Sequence, residues 1–138
     1  PIEIPHRSEF SDCHALVIVG DGVNLLFMPD HDSWSETLNQ QSIRDWFSSL
    51  NVDIVLLDGT FWSADELPHR DMNEIPHPPV TETLERLGTK RQGDPEILFF
   101  HLNHTNPLCN PKSKQCEEVH SSGWSVANEG DSFTLERL

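Results

Sequence analysis

Glu96-Ile97-Leu98-Phe99-Phe100-His101-Leu102-Asn103-His104 is the stretch on which the fold turns. Its apolar run is the length of a buried strand and lacks the polar alternation of a half-exposed one. Two histidines stand where that strand runs out. Upstream, residues 52–57 (VDIVLL) repeat the pattern and end at Asp58-Gly59-Thr60. Residues 14–20 (HALVIVG) and 23–28 (VNLLFM) flank Asp21-Gly22, a strong hairpin signal. The return strand of that hairpin runs into Pro29-Asp30-His31-Asp32-Ser33.

Helical patterns fall between these strands. Over residues 35–50, Leu38, Ile43, Trp46, Phe47 and Leu50 can share one face, with Ser33 or Ser35 as cap and Glu36 in the first turn. The spacing predicts one helix there. A second opens at Pro79 or Thr81 and stops at Gly88, and a third covers residues 114–121. Residues 61–79 are proline-rich and irregular, and hold His69, Asp71, Glu74 and His77. Residues 124–127 and 132–135 read as two short closing strands. Alternating strands and helices make an α/β layered architecture, and the hairpin makes its sheet mixed. The 138 residues are expected to form a single domain spanning 1–138.

Composition narrows the partners. Lys and Arg number 9 against 23 Asp and Glu, a net charge of −14. Phosphate backbones need a basic surface, so no nucleic-acid partner is expected. No apolar run approaches the roughly 20 residues of a membrane helix, and the N-terminus lacks a signal-peptide pattern. The expectation is a cytoplasmic protein with no membrane partner. Three cysteines without a CxxC pair argue against a zinc ribbon or disulfide framework. GxSxG and P-loop motifs are absent.

Ligands of α/β proteins bind beyond the carboxyl ends of the strands. Asp30-His31-Asp32, Asp58 and His101 with His104 all fall at such ends, and His6 lies just before the first long strand. Imidazole and carboxylate are the usual ligands of zinc and iron, so these residues are candidates for a metal site. Simpler roles remain open. Asp30 or Asp32 can cap the following helix, Asp58 can serve the turn at Gly59, and each histidine can be an ordinary surface residue.

The order His6, Asp30, His101 resembles the second half of the metallo-β-lactamase fold. Within that superfamily of metal-dependent hydrolases, the branch of coenzyme PQQ synthesis protein B is the most similar. The resemblance rests on Pro5-His6-Arg7-Ser8-Glu9-Phe10-Ser11-Asp12, Leu26-Phe27-Met28-Pro29-Asp30-His31-Asp32-Ser33-Trp34, Leu56-Leu57-Asp58-Gly59-Thr60-Phe61-Trp62, Phe100-His101-Leu102-Asn103-His104-Thr105-Asn106-Pro107 and the GWSVANEG of residues 123–130. It implies the C-terminal half of an αββα sandwich. Asp30 would bridge two metals, with His6 and His101 as further ligands and Asp32 and His104 in support. The superfamily's His-x-His-x-Asp-His motif, which belongs to the N-terminal half, is absent.

The implied cofactor is a divalent metal, zinc first, with iron or manganese as alternatives. The implied function is hydrolysis of a small-molecule substrate by metal-activated water. His77 matches a histidine that assists catalysis in ribonuclease Z-like relatives, and Asp58 joins it as a candidate for proton transfer. The alternatives are a non-catalytic or PQQ-biosynthesis-related binding protein, or an unrelated α/β binding domain. Half of such a sandwich leaves one sheet face bare. A homodimer or the N-terminal half is therefore expected to cover it.

Overall fold

The computed structural model describes residues 1–6, 12–69, 71 and 76–138. Glu74 and residues 7–11, which carry part of the first matching stretch, lie outside the described residues. The strands are β1 (Ile2–Ile4), β2 (Cys13–Val19), β3 (Asn24–Met28), β4 (Ile54–Asp58), β5 (Glu96–Phe100) and β6 (Ser125–Val126). They form one six-stranded sheet in sequence order. The β1–β2 and β2–β3 pairs are antiparallel, and β3 to β6 run parallel. The expected mixed α/β sheet is therefore present. Among the described residues no helix is long and apolar enough to cross a membrane.

The hairpin between β2 and β3 forms where Asp21-Gly22 predicts it. Gly22 has φ +85° and the Gly20 N–H donates to the Val23 carbonyl at 3.1 Å. A Cβ on Gly20 would lie 2.3 Å from Leu135, so only glycine lets the C-terminal tail cross here. That tail is not the second closing strand expected at residues 132–135. Its pairing is limited to isolated bridges between Glu136 and Asp21 or Gly22. The tail is pinned to the hairpin loop by side chain and turn, with Arg137 also meeting Asp53 at 3.0 Å.

The helix predicted over residues 35–50 is two helices, α1 (Trp34–Leu38) and α2 (Ile43–Leu50). Asn39 (φ 44°) and Gln40 (φ 74°) turn left-handed between them. The cause is visible in the sequence. Leu38 and Ile43 are five apart, which breaks the helical apolar spacing. The polar Asn39-Gln40-Gln41-Ser42 run supplies a left-handed C-cap and a new N-cap, Ser42, which accepts from the Asp45 N–H at 3.1 Å. Ser33 caps α1 through the Glu36 N–H. Helix α3 (Val80–Leu87) stops at Gly88, and α4 (Lys114–Ser121) is capped by Ser113.

All four helices contribute to one core on one face of the sheet. Leu26 and Met28, Val55 and Leu57, and Ile97 and Phe99 project into it from β3, β4 and β5. Trp34, Trp46 and Phe47 meet them with edge-on and tilted rings; Trp34 lies 6.0 Å from Trp46 and 6.4 Å from Phe47. Such pairs add about 0.5–1.5 kcal/mol each beyond burial.

The alternate residues of the same strands point the other way and are also apolar. Leu16, Ile18, Leu25, Phe27, Ile54, Leu56, Leu98 and Phe100 are brought into register across β2 to β5. On this second face Leu16 and Ile18 are 43% and 45% exposed. Ala127, Asn128, Glu129, Asp131 and Phe133 share a groove of about 380 Å³ with Leu56 and Phe100, at the end of the face nearest His101.

Candidate functional site

Because β3, β4 and β5 are parallel, their carboxyl ends open on the same edge. A polar residue stands at or just beyond the end of each strand. β3 ends at Met28, and Asp30 follows two residues later with φ 53°. Asp58 is the last residue of β4, paired with Phe100 of β5, and His101 leaves β5 with φ 57°. Gly59 lets the two chains stay close at this exit. Its N–H donates to the Phe100 carbonyl at 2.7 Å, and a Cβ there would lie 2.9 Å from Leu102 and 3.0 Å from that oxygen.

Asp30, Asp58 and His101 offer ligand atoms that all lie within 4.8 Å of one another, a group able to hold a metal ion. The two carboxylates differ sharply. Asp58 is buried, its side chain 2% exposed. Oδ1 accepts from the Thr60 N–H at 2.8 Å and the Thr60 hydroxyl at 2.6 Å. Oδ2 accepts from the His31 N–H at 3.0 Å and from His77 Nδ1 at 2.7 Å. Four donors fill the roughly four acceptor directions of a carboxylate. Burial works against its charge, but the neighbouring His101 and His77 outweigh burial and hold its carboxyl well below the usual range.

The Asp30 side chain is 46% exposed and faces His101 Nε2 with Oδ1 at 3.7 Å. His101 Nδ1 points inward, 3.1 Å from the Thr60 hydroxyl oxygen. Asp58 raises the His101 imidazole above its ordinary value despite partial burial. His77 arrives from the irregular loop with φ 133°, a conformation L residues rarely adopt. Burial lowers its basicity, yet the Asp58 hydrogen bond and charge win and raise it. Among the described residues, the other positive-φ positions outside glycine are Asn39, Gln40 and Asn51, which belong to helix ends and the turn after α1. Asp30, His77 and His101 have no such local reason. Backbone held in sparse regions costs about 1–3 kcal/mol per residue and concentrates at functional sites.

The other sequence candidates fall around this group. His6 does not join it. Its Nδ1 meets Asp32 Oδ1 at 3.2 Å, and it lines a separate cavity of about 530 Å³ with Cys13, Glu36 and Trp46. His104 is exposed two residues beyond Leu102. His31, a metal-site candidate from sequence, turns inward instead, and two contributors, Thr60 and Asn106, were given no role from sequence. His31 is 2% exposed, with Nε2 between the Ser33 carbonyl (2.9 Å) and Thr37 Oγ1 (2.7 Å); burial pushes its imidazole down to about 4. Thr60 touches Asp58, His77 and His101. Buried Asn106 ties the two exits together, donating to the Gly59 carbonyl at 2.6 Å. The Asp58-Gly59-Thr60 run carried the signal for Thr60, since an aspartate two residues before a threonine makes a local side-chain turn.

The chain is similar to coenzyme PQQ synthesis protein B of Xanthomonas oryzae pv. oryzae (strain MAFF 311018), 30% identical over 97 residues, 61% of this chain and 30% of that protein. The protein of the same name from Methylococcus capsulatus is 33% identical over 92 residues, and that from Gluconobacter oxydans 27% over 95. The chain spans about 30% of the length of these curated relatives. No family model matches it.

Proposed function

We propose that this chain is a PQQ-biosynthesis-related, metallo-β-lactamase-like protein that contributes a divalent-metal site through Asp30 and His101. The observation that carries the reading is the contrast between its two carboxylates. Asp58 has its oxygens occupied by four protein donors, whereas Asp30 is open and faces the outward nitrogen of His101 at 3.7 Å. A carboxylate oxygen and an imidazole nitrogen are the donor chemistry that zinc, iron and manganese accept. The residues present therefore fit part of a ligand set. Two free donors are fewer than the three or four protein ligands of a zinc centre, so further ligands would come from the αββα partner half that the resemblance implies.

A second reading, metal-dependent hydrolysis, is favoured by the Asp58–His77 pair. A bound ion would supply Lewis acidity toward a substrate oxygen. The chain's own residues would move the proton. Asp58 holds His77 Nδ1–H at 2.7 Å, which leaves Nε2 as the exchanging nitrogen and raises its basicity. Asp58 acts through His77 and His101 rather than on a ligand itself.

Equilibrium dialysis of the protein against zinc, manganese or iron(II), followed by metal analysis, tests the first reading. Retention of one ion by the wild type and its loss in Asp30→Asn and in His101→Ala is the expected result. Equal retention by all three proteins would exclude the assignment.

A further inference from the structure

We infer that Thr60 is a positioning residue that fixes the neutral imidazole of His101 in its Nδ1–H form, so that Nε2 of the neutral ring presents its lone pair toward Asp30. The inference rests on the reading above only for its purpose; the hydrogen-bond geometry stands without it.

A threonine hydroxyl carries one proton. Thr60 Oγ1 lies 2.6 Å from Asp58 Oδ1, and the same oxygen accepts the Thr60 N–H at 2.8 Å. Asp58 is buried and its two oxygens accept from four donors, so it is the strongest acceptor within reach of that proton. Turning the hydroxyl away would set two lone-pair-bearing oxygens against each other at 2.6 Å. The proton is therefore committed to Asp58, and Oγ1 can only accept from other partners. His101 Nδ1 is 3.1 Å from it and must be the donor. Asp58 cannot do this directly, because His101 Nδ1 is 3.9 Å from Oδ2, beyond hydrogen-bond reach. Thr60 thus relays the carboxylate's preference across a gap that Asp58 does not span.

His77 takes the direct route to the same carboxylate at 2.7 Å, with Thr60 Oγ1 a longer 3.4 Å away. One carboxylate thereby orders two imidazoles: His77 by contact and His101 through Thr60. Histidines that bind metals have their second nitrogen held in this way, and losing such a partner typically weakens metal binding 10–100-fold.

The test is long-range ¹H–¹⁵N correlation of the histidine side chains in the metal-free, full 138-residue protein, at a pH high enough to keep the imidazoles neutral. The wild type and Thr60→Ser are expected to show His101 as the Nδ1–H tautomer. Thr60→Val, which keeps the shape and removes the hydroxyl, is expected to show a mixture with the Nε2–H form. His77 should stay Nδ1–H in all three. Zinc affinity should fall about 10–100-fold in Thr60→Val and recover in Thr60→Ser. An Nε2–H tautomer in the wild type would overturn the inference, whether or not the valine variant folds. So would an unchanged tautomer in a folded Thr60→Val. If the wild type shows the Nδ1–H form but retains no zinc, the metal reading fails and the tautomer assignment stands.

Discussion

Replacing Asp58 with asparagine removes a charge without changing shape, and the structure sets what that should cost. The carboxylate accepts from four donors, two of them backbone N–H groups, those of Thr60 and His31. Asparagine has one oxygen and one NH2 group. If the NH2 faces Oδ1's partners, the Thr60 N–H is stranded against it. If it faces Oδ2's partners, the His31 N–H is stranded, even should His77 change tautomer to accept. One buried donor is orphaned either way, at about 1–3 kcal/mol. The surviving bonds lose their charge assistance, which about halves each. The sum is about 3–5 kcal/mol, the usual cost of breaking a buried polar network. With a urea m-value of about 1–3 kcal/mol/M, the unfolding midpoint should fall by roughly 2 M. Urea unfolding monitored by tryptophan fluorescence reads this directly. A loss below about 1 kcal/mol would refute the saturated-carboxylate reasoning. Asp30→Asn is the internal contrast; its side chain is 46% exposed and should change stability by less than about 0.5 kcal/mol.

Other expectations follow from the same geometry. Trp34→Ala empties a position 2% exposed and strands Thr83, which accepts its Nε1–H at 2.8 Å; thermal melting should show a loss of about 3–5 kcal/mol. Stability should depend on pH in two limbs in metal-free protein. His31 is held neutral with its imidazole pushed from 6.5 to about 4, so its contribution, about 3 kcal/mol, is present above 6.5 and lost as pH falls through 4. His77 and His101 are raised, so theirs is present below 6.5 and lost as pH rises through their folded values. Urea midpoints across pH should therefore decline on both sides, and His77→Gln should flatten the alkaline limb. The apolar second face should make the isolated chain self-associate with increasing concentration in sedimentation velocity. Leu16→Glu combined with Ile18→Lys should leave it monomeric.

Strands β2 to β6, α4 and the gathering of Asp30, Asp58 and His101 at one sheet edge were legible because apolar runs ended in polar residues at three places, whereas β1 was not read from sequence. Periodicity carried that information. The break between α1 and α2 was legible in principle, in the five-residue gap from Leu38 to Ile43, but a window that tolerates one misplaced residue passes over it. The tail at residues 132–135 alternates like a strand, yet Leu135 is engaged by Gly20 instead, a contact between residues more than a hundred positions apart that no local pattern encodes. Spacing could not reveal which aspartate was saturated either. That depends on two backbone N–H groups, of His31 and Thr60, whose direction is fixed only when β3 and β4 pair. His6 matched the order of the resemblance, yet its placement beside Asp32 depends on how β1 leaves the sheet.

If Asp30 and His101 are the open donors of a metal site that Asp58 orders from behind, zinc should bind between them. The most direct measurement is an anomalous difference map at the zinc edge from crystals of the protein soaked in zinc. The expected result is a peak between Asp30 Oδ1 and His101 Nε2, with Asp58 still bonded to Thr60, His31 and His77. A peak on Asp58 with those bonds broken, or zinc held only at His6 and Asp32, would contradict it.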